Sequence, residues 1–130
     1  MNIYKKFFSI TIIFLLLIQL SALVWGAEIK ATDVEAIKKS EGEFVSIIGD
    51  VYSTYKAPSG KVRFLNLGPD YRTAFTVVIF TSDLNKFIST VGEPTTYYKD
   101  KKVKVEGRIK LYKGKPEIIA NSPDQIVIIK

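Results

Sequence analysis

The stretch AFTVVIFTSDLNKFISTVGEP, residues 74 to 94, decides the fold. It opens with an apolar run, Ala74 to Phe80, which predicts a buried strand. Ser82 is a residue type that caps helices, and apolar residues then recur at helical spacing as far as Ile88. Gly92-Glu93-Pro94 ends that segment. The stretch therefore predicts a strand that leads into a short helix with an inward apolar face.

A helix and two further strands are predicted before this stretch. Residues 31 to 41 have helical spacing and end at Gly42. Apolar residues and glycine then occupy every second position from Phe44 to Tyr52, which predicts a strand. The next strand, Val62 to Leu67, is followed by the turn Gly68-Pro69-Asp70. Which side of that strand faces the core stays open, because apolar residues occur at both its odd and its even positions.

Two strands and a short tail are predicted after the helix. Residues Val103 to Leu111 show the clearest alternation in the chain, with one apolar and one charged face. Lys113-Gly114-Lys115 predicts a tight turn into a strand over Glu117 to Asn121, and the apolar run Ile126 to Ile129 closes the chain. Four residues of the predicted strands are expected in the core: Val51, Val77, Val105 and Ile109.

The order of these elements indicates the fold class. A helix between the third and fourth of five strands is the arrangement of the OB-fold, a five-stranded Greek-key barrel. Gly49 and Gly107 fit such a barrel, whose long strands use glycine at a bend or bulge. We therefore expect a mainly β protein with one OB-fold domain over residues 27 to 130. It should carry an N-terminal helix and a helix between strands 3 and 4.

Residues 1 to 26 are expected to be a signal peptide that precedes this domain. Lys5 and Lys6 form a basic start, Phe7 to Trp25 is almost continuously apolar, and small residues precede Ala27. The apolar run is also close to the length that spans a bilayer, so an uncleaved membrane anchor is the alternative. We expect an exported protein, periplasmic or extracellular, that contacts a membrane only if this segment is retained.

The composition argues against catalysis. The absence of His and Cys removes imidazole bases, thiol nucleophiles and nearly all zinc sites. The 13 acidic residues are scattered singly, so the sequence indicates no carboxylate cluster for a divalent metal. The formal net charge of +6 falls to +4 from Ala27 onward, which permits a polyanionic partner without requiring one. We expect no enzyme activity, no metal and no cofactor.

Several segments of the chain resemble a known group of proteins, over nearly all of residues 31 to 129. The segments are Gly49-Asp50-Val51, Gly60-Lys61, Phe64 to Gly68, Phe75 to Phe80, Val103 to Gly107, Tyr112 to Ile118 and Ser122 to Ile126. In them the chain resembles exported bacterial OB-fold domain proteins of the nucleic-acid-binding type, which is tRNA-anticodon-binding-like. This resemblance implies an OB-fold, a fold that binds oligonucleotides, oligosaccharides or proteins.

The predicted binding face follows from the usual position of ligands on OB-folds. Ligands lie across strands 2 and 3, flanked by two loops that here are residues 55 to 60 and 112 to 115. Single-stranded nucleic acid needs cations for its phosphates and flat rings for its bases. Eleven residues on these strands and loops supply both: Tyr55, Lys56, Lys61, Arg63, Phe64, Tyr71, Arg72, Phe75, Tyr112, Lys113 and Lys115.

We therefore expect a non-enzymatic, monomeric protein that binds single-stranded DNA or RNA at this face. For each aromatic residue taken singly the competing role is packing in the core or at its rim, and for each lysine it is a solvated surface. Asn66 and Asp70 are expected to hydrogen-bond the backbone of the turn between them. The alternative function is an envelope OB-fold module for a protein partner, a glycan or a small ligand.

Overall fold

The computed structural model describes residues 28 to 130, which have a mainly β fold as predicted. Within this range the chain forms nine strands in two sheets, together with three short α-helices. The segment predicted to be a signal peptide or a membrane anchor lies outside the described residues. None of the helices within residues 28 to 130 has the length and apolar character needed to cross a membrane.

The strands are short, and the helices lie between them in two places. The strands are β1 (Glu28–Lys30), β2 (Phe44–Asp50), β3 (Ser53–Lys56), β4 (Val62–Asn66), β5 (Thr76–Phe80), β6 (Lys102–Arg108), β7 (Lys110–Tyr112), β8 (Lys115–Ile119) and β9 (Ile126–Ile128). The helices are α1 (Val34–Lys39) before β2, and α2 (Thr81–Thr90) and α3 (Pro94–Tyr97) after β5. A 3₁₀ turn, Pro123–Gln125, precedes β9.

The strands form a four-stranded sheet and a five-stranded sheet. The four-stranded sheet has the order β1-β2-β6-β9, and the five-stranded sheet has the order β3-β4-β5-β8-β7. β1 pairs with β2 and β5 pairs with β8 in parallel, and the other pairs are antiparallel. The parallel β5–β8 pair joins the strands that precede α2, β3 to β5, to the later hairpin of β7 and β8.

Two segments of the chain pass directly from one sheet into the other. The Val51 amide donates at 2.9 Å to the carbonyl of Lys101, next to the four-stranded sheet. The following amide, that of Tyr52, donates at 2.9 Å to the carbonyl of Asn66 in the five-stranded sheet. A similar change of partner occurs at Ile109, between β6 and β7. The strand predicted from Phe44 to Tyr52 continues past this change as β3, and the strand predicted from Val103 to Leu111 is divided into β6 and β7. With β1, which was not predicted, and β9 in the apolar tail, residues 28 to 130 contain nine strands instead of the five predicted.

The two predicted helices, α1 and α2, lie close to their predicted positions with two corrections, and α3 was not predicted. The Asp33 carboxylate caps α1 by accepting the Ala36 amide at 3.3 Å. Helix α2 begins one residue before Ser82 and has no side-chain cap, so Ser82 lies inside the helix instead of capping it. Phe87 is buried, whereas Ile88 is 48% exposed, and the inward face of α2 is therefore narrower than predicted.

The hydrophobic core lies between the inner faces of the two sheets. The four residues predicted to be in the core are each at most 2% exposed, which confirms the prediction: Val51, Val77, Val105 and Ile109. The pairing of β2 with β6 is continuous, so Gly49 and Gly107 do not mark bulges. A Cβ atom at either glycine would lie 2.5 Å from a side chain, that of Ala31 or Ile118 respectively. These glycines therefore allow close packing.

Strand β4 buries the face that contains Leu65. Leu65 and Leu67 are at most 1% exposed, and Arg63 on the same face is 5% exposed. Val62 and Phe64 lie on the opposite face and are half-buried. The structure thus settles which side of this strand faces the core, and it points the Phe64 ring outward.

Candidate functional site

The outer face of the five-stranded sheet carries a row of polar side chains. Residues that lie directly opposite each other in paired strands point to the same face of a sheet. The register places Ser53 opposite Asn66, which in turn lies opposite Thr76. Thr76 lies opposite Glu117. These four residues, here called the polar row, cross the sheet side by side from β3 to β8.

Hydrogen bonds fix the centre of the polar row. The side-chain amide of Asn66 donates to the Ser53 hydroxyl at 3.1 Å, and its oxygen accepts from the Thr76 hydroxyl at 3.1 Å. An amide carries two N–H donors and an oxygen with two acceptor sites, so these two bonds use half of that capacity. The prediction that Asn66 bonds the backbone of the turn was wrong, because its side chain reaches across to the neighbouring strands instead.

A row of apolar side chains lies next to the polar row. The register places Tyr55 opposite Phe64, then Phe64 opposite Val78, and Val78 opposite Ile119. These four residues are here called the apolar row. The rings of Tyr55 and Phe64 are stacked, with centroids 6.2 Å apart and planes inclined by 28°. Because Tyr55 is 53% exposed, this pair presents an aromatic surface to solvent.

A cavity of about 670 Å³ opens over the β3 and β4 members of the polar and apolar rows. The residues that line it are Ser53, Thr54, Tyr55, Phe64, Asn66, Tyr71 and Lys115. Tyr71 comes from the segment between β4 and β5, and Lys115 begins β8. The ammonium group of Lys115 donates to the carbonyl of Tyr71, which holds these two segments together. This aromatic cavity therefore combines three rings, one cation and the small polar side chains of Ser53 and Asn66, whereas Thr54 lies opposite Leu65 and directs its hydroxyl to the Thr95 carbonyl.

Lys115 and Glu117 are half-buried charged groups on β8. Burial lowers the pKa of the Lys115 ammonium, although the carboxylates of Glu117 and Asp70 act in the opposite direction. Burial raises the pKa of the Glu117 carboxyl, although Lys110 and Lys115 oppose that shift. Lys115 has thus already lost part of its hydration, which lowers the desolvation cost of an ionic contact with an anionic ligand.

Asp70 and Arg72 form an exposed ion pair beside the cavity. The Arg72 guanidinium donates two hydrogen bonds to the Asp70 carboxylate, at 3.0 and 3.1 Å. The Asp70 carboxylate also accepts the backbone amide of Arg72 at 3.0 Å, in line with the turn role expected for this residue. These bonds hold the pKa of the Asp70 carboxyl below its usual value. The pair therefore orients the Arg72 side chain next to Tyr71, which lines the cavity.

The structure brings some of the predicted binding residues together and separates others. Four of them line the aromatic cavity: Tyr55, Phe64, Tyr71 and Lys115. Arg72 and Lys113 line a second, smaller cavity next to it, which Lys115 also lines. Three further residues are exposed but line neither cavity: Lys56, Lys61 and Tyr112.

Arg63 and Phe75 must be removed from the predicted binding face. The Arg63 guanidinium lies on the inner side of β4, where it donates to the Glu93 carboxylate at 2.5 Å and to the Gly60 carbonyl at 2.8 Å. Its role is to close one end of the core with a paired charge. Phe75 is completely buried in the hydrophobic core. Neither side chain is placed to contact a ligand on the outer face.

Three polar residues that line the cavity were not predicted as contributors to the candidate site, namely Ser53, Thr54 and Asn66. The Thr54 hydroxyl donates to the Thr95 carbonyl at 2.9 Å, so it also connects β3 to α3. The position of Ser53, two residues before Tyr55, was the available signal, since residues two apart in a strand share a face. Within residues 28 to 130, no group of acidic side chains is arranged to hold a metal ion.

Comparison with known proteins supports the fold. No family model matches the chain, and no curated protein matches it. Among solved structures, the chain is similar to OBody AM1L10 bound to hen egg-white lysozyme, with a TM-score of 0.53 and 18% identity, over 76% of this chain and 89% of that one. At this identity the likeness concerns the fold alone.

More remote likenesses are found to aminoacyl-tRNA synthetases. The asparaginyl-tRNA synthetase from Pyrococcus horikoshii has a TM-score of 0.49 and 19% identity, over 78% of this chain and 23% of that one. The aspartyl-tRNA synthetase from Entamoeba histolytica has a TM-score of 0.49 and 16% identity, over 77% of this chain and 21% of that one. The chain thus spans less than a quarter of either synthetase, and these likenesses carry no conclusion about function.

Proposed function

We propose that this protein is a non-enzymatic OB-fold protein that binds single-stranded nucleic acid on the outer face of the five-stranded sheet. The observation that carries the proposal is the aromatic cavity, where the stacked rings of Tyr55 and Phe64 lie beside Lys115 and the polar row. Single strands expose the faces of their bases, which stack on aromatic rings, and their phosphates need nearby cations. The cavity supplies both kinds of contact within one open space.

The OB-fold in this proposal rests on the path of the chain through both sheets. In an OB barrel, β2 and β3 would count as one long strand, and β6 and β7 as another. The five resulting strands then pair in a closed order: β2/β3 with β4, β4 with β5, β5 with β8, β8 with β6/β7, and β6/β7 with β2/β3. Five strands paired in this order, with helix α2 after the third strand along the chain, correspond to an OB barrel. The likeness to OBody AM1L10 supports the same inference. In this plan β4 and β5 are strands 2 and 3, where OB-folds bind their ligands.

Each part of the cavity has a distinct role in the proposed complex. A base stacks on the Tyr55–Phe64 pair, and Tyr71 approaches it from the other side of the cavity. Asn66 is only 6% exposed but lines the cavity, where the free half of its amide offers a donor and an acceptor to the edge of that base. Lys115 pairs with a phosphate, an interaction favoured by its partial burial.

The location and assembly of the protein are part of the same proposal. The basic and apolar segment at residues 1 to 26 supports export, so the ligand would be a single strand outside the cytoplasm. We propose that the protein acts as a monomer, since one outer face is enough to hold a short strand. The absence of His and Cys from the sequence supports a binding role over a catalytic one.

Fluorescence anisotropy with the full chain tests this function. The probe is a labelled oligothymidylate of about 12 nucleotides, within the site size of an OB-fold. Tyr55→Ala should weaken binding by about 1–3 kcal/mol, because it removes one stacking surface. Tyr52→Ala is the matched control, since Tyr52 is exposed to a similar degree but lies outside the aromatic cavity.

Two results would contradict the proposed function. One is equal weakening by the two tyrosine substitutions, which would mean that the aromatic cavity has no special part in binding. The other is a wild-type protein that binds the oligonucleotide no better than an unrelated protein of similar charge. The second result would favour the alternative of an envelope module that recognises a protein, a glycan or a small ligand.

A further inference from the structure

We infer that the bound strand continues past Lys115 into the second cavity, where its phosphates meet a group of cations on α1 and on the β7–β8 turn. This inference rests on the proposed function and extends the binding surface from the sheet to a helix that the sequence analysis did not include. The second cavity has a volume of about 400 Å³. Lys115 lines both cavities, so the two spaces adjoin at this side chain.

The lining of the second cavity suits phosphates and does not suit bases. Four of its lining residues are cations: Lys38, Arg72, Lys113 and Lys115. Its other lining residues are Val34, Glu35, Thr73 and Gly114, so no aromatic ring lines this space. Bases need flat apolar surfaces, whereas phosphodiester groups need positive charge, and the second cavity supplies only the latter. The two cavities are therefore complementary to different parts of one nucleotide chain.

The cations of the second cavity keep a net positive charge. Lys38 lies 3.6 Å from the Glu35 carboxylate, and Arg72 is paired with Asp70. Within residues 28 to 130, neither Lys113 nor Lys115 has a carboxylate within salt-bridge distance. Those two ammonium groups thus have no carboxylate to exchange for a phosphate, and Lys115 keeps two N–H donors beside the one that bonds the Tyr71 carbonyl. The Lys38–Glu35 pair is exposed enough to exchange its partner.

The turn between β7 and β8 holds its lysines in place. Tyr112 pairs with Lys115, so the hairpin loop has only two residues, Lys113 and Gly114. Both have positive φ angles, 50° and 77°, which is the backbone of a tight type I′ turn. The Lys113 ammonium also lies 5.5 Å from the centre of the Tyr112 ring. A short turn of this kind presents its charges with little loss of conformational freedom on binding.

Lys38 and Lys39 provide a matched pair of variants on one helix. Lys38 lines the second cavity, whereas its neighbour Lys39 is exposed and lies outside both cavities. Lys38→Gln and Lys39→Gln remove the same charge from α1. With the full chain and oligothymidylates of about 4 and about 12 nucleotides, the salt dependence of affinity reports how many phosphates are in contact.

The inference predicts a length-dependent effect of Lys38 alone. With the longer strand, Lys38→Gln should make the slope of log affinity against log salt less negative by about 0.7, the contribution of one phosphate of a single strand. With the shorter strand, which fills only the aromatic cavity, the slope should not change. Lys39→Gln should leave both slopes at the wild-type value.

The outcomes separate this inference from the function on which it rests. If both oligonucleotides bind but Lys38→Gln and Lys39→Gln have the same effect, the path through the second cavity is wrong while the binding function stands. An equal effect of Lys38→Gln on the short and long strands would overturn the path as well. If the wild-type protein binds neither oligonucleotide, the proposed function itself is wrong.

Discussion

Leu65 and Phe64 are neighbours in β4, yet they meet different physical demands. Leu65 is fully buried in the hydrophobic core, whereas Phe64 lies half-buried on the outer face against the exposed ring of Tyr55. Burial explains why an apolar side chain occupies position 65, because folding removes its surface from water. Burial does not explain a pair of large rings that water still reaches. The comparison indicates that the inner face of the five-stranded sheet serves stability, and that the part of the outer face on β3 and β4 that water reaches is free to serve binding; on β5, Thr76 and Val78 of the same face are at most 3% exposed.

The largest expected difference between the two faces is in stability. Leu65→Ala should lower the free energy of unfolding by about 2–5 kcal/mol, through lost burial and the cavity that it leaves. Phe64→Ala should cost less than about half as much, since the ring is only partly removed from water. Chemical denaturation of the two variants measures both values. Equal losses would show that Phe64 belongs to the core and would break the comparison.

Arg63 provides the next test, because it is a cation on the inner face of the same strand. Arg63→Gln should lower the free energy of unfolding by about 1–3 kcal/mol, since it removes the charged partner of the Glu93 carboxylate. It should leave the salt dependence of oligonucleotide binding unchanged. Lys61→Gln is the control, because Lys61 is exposed and its loss should change stability by less than about 0.5 kcal/mol. A change in the salt slope with Arg63→Gln would return this residue to the binding face.

The smallest expected effect concerns Tyr98, which is 1% exposed and has no hydrogen-bond partner for its hydroxyl within residues 28 to 130. Burial raises the pKa of this phenol from 10.0 to about 12, and Tyr97 adds to the shift. The native state therefore keeps the proton that the unfolded state releases between pH 10 and about 12, so stability should fall as the pH rises through that window.

Substitution of the Tyr98 hydroxyl isolates this effect. Tyr98→Phe should raise the free energy of unfolding at neutral pH by about 1 kcal/mol, because an unpaired polar group leaves the core. It should also reduce the loss of stability above pH 10. Tyr97→Phe keeps the neighbouring ring and removes a more exposed hydroxyl, so it should retain most of the alkaline loss. Denaturation midpoints measured from pH 8 to about pH 12 decide between these outcomes. A Tyr98→Phe variant that loses stability above pH 10 as the wild type does would show that the Tyr98 phenol is not the cause of that loss.

The inner face could be predicted from the sequence where alternation is regular. Strand β6 alternates strictly, and the core position predicted for Val105 is confirmed. The burial of Phe75 also had a signal that was not used, since Phe75, Val77 and Ile79 are spaced two apart and all are completely buried. Periodicity therefore contains most of the information about the core.

The outer face could not be predicted in the same way, because its contacts depend on register. The polar row forms only when β3, β4 and β5 are aligned, and no local pattern gives that alignment. The burial of Arg63 depends on Glu93, which lies 30 residues further along the chain. Likewise, α1 and the β7–β8 turn meet at the second cavity through tertiary packing alone. The sequence shows which aromatic and cationic residues could bind a nucleic acid, but it does not show which of them the fold brings together.

The most direct test of the account is an NMR titration of the ¹⁵N-labelled protein with an oligothymidylate of about 12 nucleotides. The account predicts that amide shifts concentrate on the outer face of the five-stranded sheet, at Ser53, Tyr55, Phe64 and Asn66, and extend to Lys115. The exposed outer surface of the four-stranded sheet, around Phe44, serves as an internal control and should not shift. Shifts centred on Phe44, or spread evenly over the exposed lysines, would contradict the claim that the outer face of the five-stranded sheet is the binding surface.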